Sequence, residues 1–386
     1  MKTAVIVDFA RTPIGRAHPD KGYFRQTRSD DLAAHCLRAI LHNTAIDPRE
    51  IEDVLFSAAS QSGEQGLNVA RNAALLAGLP FECAAATINR LCGGGLQTIL
   101  QAAHSIQAGG EDVHLVGGME HMHHLPMNEG WSVNPKLFQR TSPAALKMGA
   151  TAEFLAKKHR ISRRRQDEFA LRSHQKAAAA QRAGLFKREI APVEGLDAAG
   201  LPQLFSADQC VRPDTSLEKL ASLPPVFVPE DGSVTAGNSS PLNDGAAALL
   251  MMSQQKAEQL QLTPLVQVRA AAVAGVEPRL MGTGPVPAVE KARRRAGLTL
   301  ADLDLIELNE AFAVQVLSCL ELLGIDEERV NIRGGALALG HPLGASGARI
   351  AATLISTMKD RQAALGMATM CVGMGQGVAV IFENCS

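Results

Sequence analysis

Leu96, Ile99, Leu100, Ala103 and Ile106 recur at helical spacing, which predicts an amphipathic helix starting within a residue or two of Cys92. Ile350, Ala351, Leu354 and Ile355 repeat the pattern near the other end of the chain, after Gly344 and Gly347. Each pattern issues from a glycine-rich turn, over 92–108 in one case and 344–358 in the other. Each is followed by an apolar strand, Val113-His-Leu-Val-Gly-Gly and Leu365-Gly-Met-Ala-Thr-Met-Cys. The first and last portions therefore echo one another, which predicts a duplication. Packing two such halves together would bring Cys92 and His341, at equivalent positions, face to face. Alternating strands and helices imply an α/β fold with buried sheets.

The interval from about 118 to 240 reads differently, with loops, methionines, prolines and one clear polar helix, and looks like an insertion. Ser162 is a good N-cap for the helix pattern running through Phe169, Leu171 and 177–180. Lys157, Lys158, Arg160, Arg163, Arg164 and Arg165 concentrate positive charge there. Charge runs of this kind are usually solvated helix faces.

At 386 residues and 46% hydrophobic, the chain can bury two or more cores, and its length suggests two or three domains. A formal charge of -1 and 4% aromatics argue against nucleic acid, so any phosphate site must be local. No uninterrupted apolar run approaches a membrane span, and the first residues read as a strand rather than a signal peptide, which points to a soluble cytoplasmic protein. Seven cysteines, an odd number without metal-type pairing, suit a reducing compartment better than a disulfide scaffold.

Those cysteines carry the candidate chemistry. Cys92 lies between an apolar run and a helix start, where free backbone N–H groups and the helix dipole favour thiolate. The three glycines after it let a bulky substrate approach the backbone. Gly-His-Pro-Leu-Gly-Ala-Ser-Gly at 340–347 and Met-Cys-Val-Gly-Met-Gly-Gln-Gly at 370–377 add a histidine and a second thiol in glycine-rich turns. Pro342 pushes His341 towards extended backbone, at a strand-to-helix junction. Asn309 and Glu310 interrupt an apolar stretch, and buried polar groups need partners or a function.

Several motifs in order give the chain its resemblance to thiolases, most of all the bacterial 3-ketoacyl-CoA thiolase group of fatty-acid oxidation complexes. They are Arg11-Thr-Pro-Ile-Gly15, Asn68-Val-Ala-Arg-Asn-Ala-Ala74, Asn89-Arg-Leu-Cys-Gly93, Gly117-Gly-Met-Glu120, Val234-Thr-Ala-Gly-Asn238 with Asn243-Asp-Gly-Ala-Ala-Ala248, Asn309-Glu-Ala-Phe312, Gly334-Gly-Ala336, Gly-His-Pro-Leu-Gly and Cys371. The resemblance implies the thiolase fold, a duplicated five-layer αβαβα core with an inserted loop domain. Residues 1–117 with 241–262 would form the first half, 118–240 the loop domain that binds coenzyme A, and 263–386 the second half. It also implies dimers or pairs of dimers with the Asn68–Ala74 region near the contact, and docking to a hydratase/dehydrogenase subunit.

The implied reaction is cleavage of a 3-ketoacyl-CoA by coenzyme A, giving acetyl-CoA and a shortened acyl-CoA. Cys92 would carry the acyl group, His341 would take its proton, and Cys371 would protonate the leaving enolate and then deprotonate coenzyme A. His341 Nε2 and a water on Asn309 would form one oxyanion hole, and the backbone N–H groups of Cys92 and Gly373 the other. A neighbouring imidazolium would ease formation of the Cys92 thiolate. Ser240 and Arg212 match coenzyme A contacts of the family, and the basic run near Ser162 offers a landing place for its phosphates or a solvated face. No metal or prosthetic group is implied, coenzyme A being a substrate. Alternatives are acetoacetyl-CoA synthesis by the reverse reaction and a thiolase-like protein that binds acyl-CoA without turnover. Ketoacyl synthases share the fold and nucleophile, but Cys371 argues against them.

Three positions depart from the family pattern. Gly94 stands where serine is usual, removing a hydroxyl. Arg333 replaces an asparagine, a change expected to alter the pocket or the loop near His341. Lys147 precedes Met148-Gly149 where biosynthetic thiolases carry histidine, which favours degradation of longer chains. His121, His123 and His124 invite a metal reading, against which their spacing argues; His123 and His124 are expected on the active-site rim.

Overall fold

The computed structural model describes residues 2–127, 129–130 and 132–385. Its main sheet runs in the order Leu305–Leu308, Leu365–Val372, Gln376–Asn384, Val266–Gly275, Ala4–Arg11, Asn243–Ser253, Val113–His121, Asp53–Ser57 and Ala84–Ile88. The seam between the halves is the pairing of Val5 with Gln267 and Ile6 with Val266.

Both sides of that seam are built alike. Asp53–Ser57 runs parallel to Ala84–Ile88 and to Val113–His121. In the other half, Leu305–Leu308 runs parallel to Leu365–Val372, and Ile306 makes a parallel bridge to Val330. Val113–His121 then pairs antiparallel with Asn243–Ser253, which pairs antiparallel with Ala4–Arg11. Leu365–Val372, Gln376–Asn384 and Val266–Gly275 repeat that arrangement. The echo between the two ends of the chain is thus a duplication strand for strand.

Three apolar cores separate the layers. Leu96 and Ile99 of helix Gly94–Ala108 pack with Ile350 and Leu354 of helix Leu343–Arg361, between Leu249 and Met251 of one half-sheet and Val378 and Val380 of the other. Helices Ser29–Thr44 and Val69–Leu76 cover the outer face of the first half-sheet, where Leu32, Leu37 and Ala73 meet Val54 and Leu250. Helices Pro285–Ala296 and Ala313–Leu323 cover the second, with Val289 and Val316 against Leu308 and Ile381. The order is αβαβα, as the family resemblance implied. Each fully buried Leu, Ile or Val contributes about 1.5–3 kcal/mol, so the two central helices are held from both sides.

Between Val113–His121 and Asn243–Ser253 the chain forms helices Met148–Lys158 and Arg163–Arg182, the strand pair Val193–Leu196 and Pro202–Phe205, and the short helix Leu217–Ala221. The Ser162 hydroxyl caps its helix, accepting from the Arg165 N–H at 3.2 Å. Three members of the basic run are paired, Arg163 with Asp167 at 2.8 Å, Arg164 with Glu168 at 2.9 Å and Arg165 with Glu327, while Lys157, Lys158 and Arg160 are exposed. Buried Arg11 binds Glu189 at 3.0 Å and Asp208 at 2.7 Å, tying the first strand to this segment.

Candidate active site

The turn that presents Cys92 is set by Asn89, whose side-chain carbonyl accepts the Leu91 N–H at 2.8 Å while its amide donates to Ala59 O at 3.1 Å. This Asx turn holds Leu91 in the left-handed region, φ 46°, a conformation unfavourable for a bulky residue. Cys92 follows with its side chain partly exposed, and the helix begins at Gly94. Arg90 clamps the turn from behind, donating to Gln97 Oε1 at 2.8 Å and to Gln376 Oε1 at 2.9 Å. Gln376 in turn reaches Gly373 O at 3.4 Å, so one arginine ties the Cys92 turn to the Gly373 turn.

His341 is oriented from three sides. Its backbone N–H donates to Asn243 Oδ1 at 2.8 Å, and Asn243 donates to Gly15 O at 2.9 Å. Gly340, at φ 111°, lets the chain pass over Asn243; a Cβ there would lie 2.6 Å from the Asn243 amide carbon. The ring Nδ1 lies 2.6 Å from Ser346 Oγ, whose hydroxyl reaches Pro342 O at 3.0 Å. With that hydroxyl hydrogen donated to the carbonyl, Ser346 accepts from Nδ1–H, which leaves Nε2 as the ring's proton acceptor. The Asn309 amide nitrogen lies 3.4 Å from both ring nitrogens, and its Oδ1 has no hydrogen-bond partner among the described residues.

Cys92, His341, Cys371 and Gly373 open on one cavity of about 370 Å³. Its walls are apolar, with Met122, Met127, Met148, Phe227, Met281 and Leu343 prominent. Burial pushes the Cys92 thiol up to about 11, opposed by the backbone N–H groups of Gly373 and of Cys92 itself. Burial and then Arg349 push His341 down to about 3. Burial also raises Cys371 well above the ordinary thiol value, and the nearby Cys92 and Cys319 add to it. The resting site is therefore thiol beside neutral imidazole. Desolvation in the apolar cavity thus opposes the thiolate that the helix terminus favours.

Other expectations divide. Ser240 lines the cavity, whereas Arg212 is exposed outside it, with its backbone N–H on His174 Nδ1 at 3.2 Å. Lys147 stands in the cavity wall beside Met148. Arg333 does not approach the pocket; it is buried against Leu185 O at 3.0 Å, Ser356 Oγ at 3.1 Å and the Asp360 carboxylate. His123 and His124 do not line the cavity either, while Met122 beside them does. His121 and His124 stack at 3.8 Å between ring centroids, with ring nitrogens on Phe24 O and Arg25 O at 3.0 Å. The remaining ring nitrogens also have protein partners: His121 Nδ1 accepts the His124 N–H at 3.1 Å, and His124 Nδ1 lies 3.1 Å from Glu64 Oε1. Glu310, by contrast with Asn309, is fully partnered, by Ser173, Asn331 and the Leu337 N–H.

Sequence reasoning missed Asn89, Arg90, Ser346 and Glu120 as positioning groups. Glu120 accepts from the N–H groups of Ala59 at 2.9 Å, Ser60 at 3.1 Å and Gly344 at 2.9 Å, joining the Cys92 side to the His341 helix. Asn three residues before a cysteine, and Ser five after a histidine, were the available signals.

Family models match nearly the whole chain. That for the thiolase N-terminal domain matches residues 4–255, and that for the thiolase C-terminal domain matches 262–384. The chain belongs to the thiolase family. Across its whole length and theirs it is 52% identical to the 3-ketoacyl-CoA thiolases of Aeromonas salmonicida and Vibrio vulnificus. The same thiolase fold is seen in human mitochondrial 3-ketoacyl-CoA thiolase, with TM-score 0.92 and 38% identity over 100% of this chain and 99% of that one. The human enzyme in complex with CoA matches with TM-score 0.91 and 37% identity over 100% and 98% of the two chains.

Proposed function

We propose that this thiolase cleaves 3-ketoacyl-CoA with coenzyme A, as the full-length identity to 3-ketoacyl-CoA thiolases supports. The observation that carries the reading is the convergence of two thiols, a neutral imidazole and the Gly373 turn on one apolar cavity. Cys92 Sγ attacks C3 of the substrate as its proton passes to His341 Nε2. The C3 oxygen takes up the electron pair beside the N–H groups of Cys92 and Gly373. When the C3–O double bond re-forms, the C2–C3 bond breaks and its pair goes to the enolate of acetyl-CoA, whose C2 is protonated by Cys371. His341 Nε2–H and a water accepted by the free Asn309 Oδ1 stabilise the enolate oxygen. Coenzyme A then gives its thiol proton to the Cys371 thiolate and attacks the Cys92 thioester. Cys92 leaves as thiolate and recovers its proton from His341.

The apolar methionine-rich walls suit a saturated acyl chain. Ser240, in the wall, is assigned to coenzyme A; Arg212 reaches it only as an exposed group at the outer surface. Residues 118–240 act as the loop domain between the halves 1–117 with 241–262 and 263–386. Cytoplasmic residence fits seven free thiols. A homodimer fits the exposed edge strand Ala84–Ile88 beside exposed Leu67 and Phe81.

The test is incubation with 3-ketoacyl-CoA substrates of several chain lengths plus coenzyme A, reading acetyl-CoA release and intact mass, with Cys92→Ala as control. Chain-dependent turnover with an acyl adduct on Cys92 is expected. Folded protein that binds coenzyme A yet shows neither would refute the reading.

A further inference from the structure

A recess of about 50 Å³ adjoins the main cavity, and the two share Cys92 and Gly373, with Met127, Leu146 and Met148 in the common wall. Ala59, Ser60, Leu91 and Met374 line the recess alone, whereas His341, Cys371 and Ser240 line only the main cavity. Cys92 thus stands at the junction of two spaces. Leu91 immediately precedes Cys92 and Met374 immediately follows Gly373, and both hold the left-handed conformation, φ 46° and φ 63°. A Cβ on Gly373 would lie 2.9 Å from Leu91 Cδ1 and 3.9 Å from Met148 Sδ, so these side chains close over the Gly373 backbone where the recess begins. Met374 is the middle residue of the three-residue loop joining strands Leu365–Val372 and Gln376–Asn384. Glycine adopts that backbone freely and a long side chain does not. A methionine held there points to a use for its side chain.

We propose that the acyl chain of the substrate runs from Cys92 into this recess, and that Met374, with Leu91, sets the chain length the enzyme accepts. This rests on the thiolase reading of Cys92 as acyl carrier. In the adduct, C3 is bonded to Cys92 Sγ, to its oxygen, to C2 and to the acyl chain. The oxygen faces the N–H groups of Cys92 and Gly373. The C2 arm has to meet Cys371 and His341, and its coenzyme A portion leaves past Ser240, all on the side of the main cavity. The remaining substituent is directed to the other side, where Leu91 and Met374 stand. Thioether side chains suit such a wall, being apolar and able to repack around chains of different length.

Two measurements test the assignment. Met374→Gly keeps a residue suited to φ 63° and empties part of the wall. It should raise the ratio of kcat/KM for 3-ketohexadecanoyl-CoA to that for acetoacetyl-CoA, by about fourfold for each methylene that enters the freed space. A ratio that stays or falls overturns the proposal; a loop damaged in a merely structural way would slow every chain alike and leave the ratio where it was. In the second measurement, wild-type protein is acylated with octanoyl-CoA carrying a terminal diazirine: the acyl group passes to Cys92 Sγ, and coenzyme A leaves with the thiol proton. Illumination expels N2, and the carbene inserts into what lies at the chain end. Label on Met374, Leu91 or residues 59–60 is expected. Label on Phe227 or Leu242, which line only the main cavity, or label confined to Met127, Leu146 and Met148, overturns the proposal. The labelling stands even if Met374→Gly fails to fold. Absence of any acyl adduct on Cys92 would instead remove the thiolase reading, and with it the carrier from which the chain is said to run.

Discussion

Gly95 and Gly347 meet backbone to backbone where the two central helices cross: a Cβ on Gly347 would lie 2.8 Å from the carbonyl carbon of Gly95 and 2.2 Å from the Leu96 nitrogen. A Cβ on Gly95 would lie 3.1 Å from the carbonyl carbon of Gly347. This contact sets how closely the helix after Cys92 approaches the helix after His341. Gly347→Ala must push the helices apart, since backbone cannot swing aside as a side chain can. Overpacking of this kind costs about 1–3 kcal/mol. A displacement of about 1 Å at the chemistry can cost on the order of 10² in rate. The variant should lose several degrees of Tm and a larger share of kcat, while Gly297→Ala, at a helix end with open space around it, leaves kcat unchanged.

The departure at Gly94 has a partner in Ser57. A Cβ on residue 94 would fall 1.7 Å from Ser57 Oγ, so the Ser57 side chain already fills the volume that a serine at 94 would take. Gly94→Ser alone should destabilise by about 1–3 kcal/mol. The pair Ser57→Gly with Gly94→Ser should recover most of that loss, with a coupling of about 1–3 kcal/mol in a double-mutant cycle of urea unfolding. Additive effects of the two changes would show that they do not share this space.

The duplication was legible because each half repeats the same local grammar, glycine turn, amphipathic helix and apolar strand. The predicted helices 92–108 and 344–358 became Gly94–Ala108 and Leu343–Arg361. The five layers followed from that repeat once the thiolase likeness was added. What was not legible depends on distance in the chain. No local pattern tells that Glu120 collects the N–H groups of Ala59, Ser60 and Gly344, or that Asn243 holds the His341 backbone. Arg333 looked like a pocket residue because it adjoins Gly334-Gly335, yet its side chain turns towards Ser356 and Asp360. The opposing pulls on Cys92 divide in the same way: a helix start is visible in sequence, whereas the burial that pushes the thiol up is not.

Asn309 makes a sharper test of the enolate site than His341, because it can be changed without removing the base. Its Oδ1 has no partner among the described residues, so Asn309→Ala strands few groups in the fold. Removing one oxyanion donor costs about 2.7–4 kcal/mol, or about 10²–10³ in kcat. Tm should move little by comparison. A fall in kcat below tenfold, measured with a saturating 3-ketoacyl-CoA, would argue against a water on Asn309 at the enolate.

At the free edge of the first half-sheet, Leu67 is 92% exposed and Phe81 83% exposed, next to strand Ala84–Ile88. Asn68 fixes this edge, donating to Ala85 O at 3.0 Å and accepting from Thr87 Oγ1 at 2.9 Å. An apolar, hydrogen-bond-rich edge of this kind is a pairing surface. The wild type should sediment as a dimer or larger, and Leu67→Asp with Phe81→Asp should shift it towards monomer at the same concentration. Unchanged mass in the double variant would place the subunit contact elsewhere.

A thiol pushed up to about 11 is almost wholly protonated at neutral pH, with a thiolate fraction on the order of 10⁻⁴ at pH 7. His341, pushed down to about 3, is neutral there and cannot stabilise a standing thiolate as imidazolium. Deprotonation must therefore accompany attack on the ketone, when the C3 oxygen takes up charge beside the backbone N–H groups. The sign of the pH effect follows: with the pKa raised, thiolate grows as pH rises, about tenfold per unit until it nears the pKa. Alkylation of Cys92 by iodoacetamide, in a Cys385→Ser background to remove the exposed thiol, should be slow at pH 7 and climb with unit slope to about pH 10. A rate already at its plateau at pH 7 would mean a preformed thiolate–imidazolium pair, and the coupled proton transfer from Cys92 to His341 would have to be abandoned.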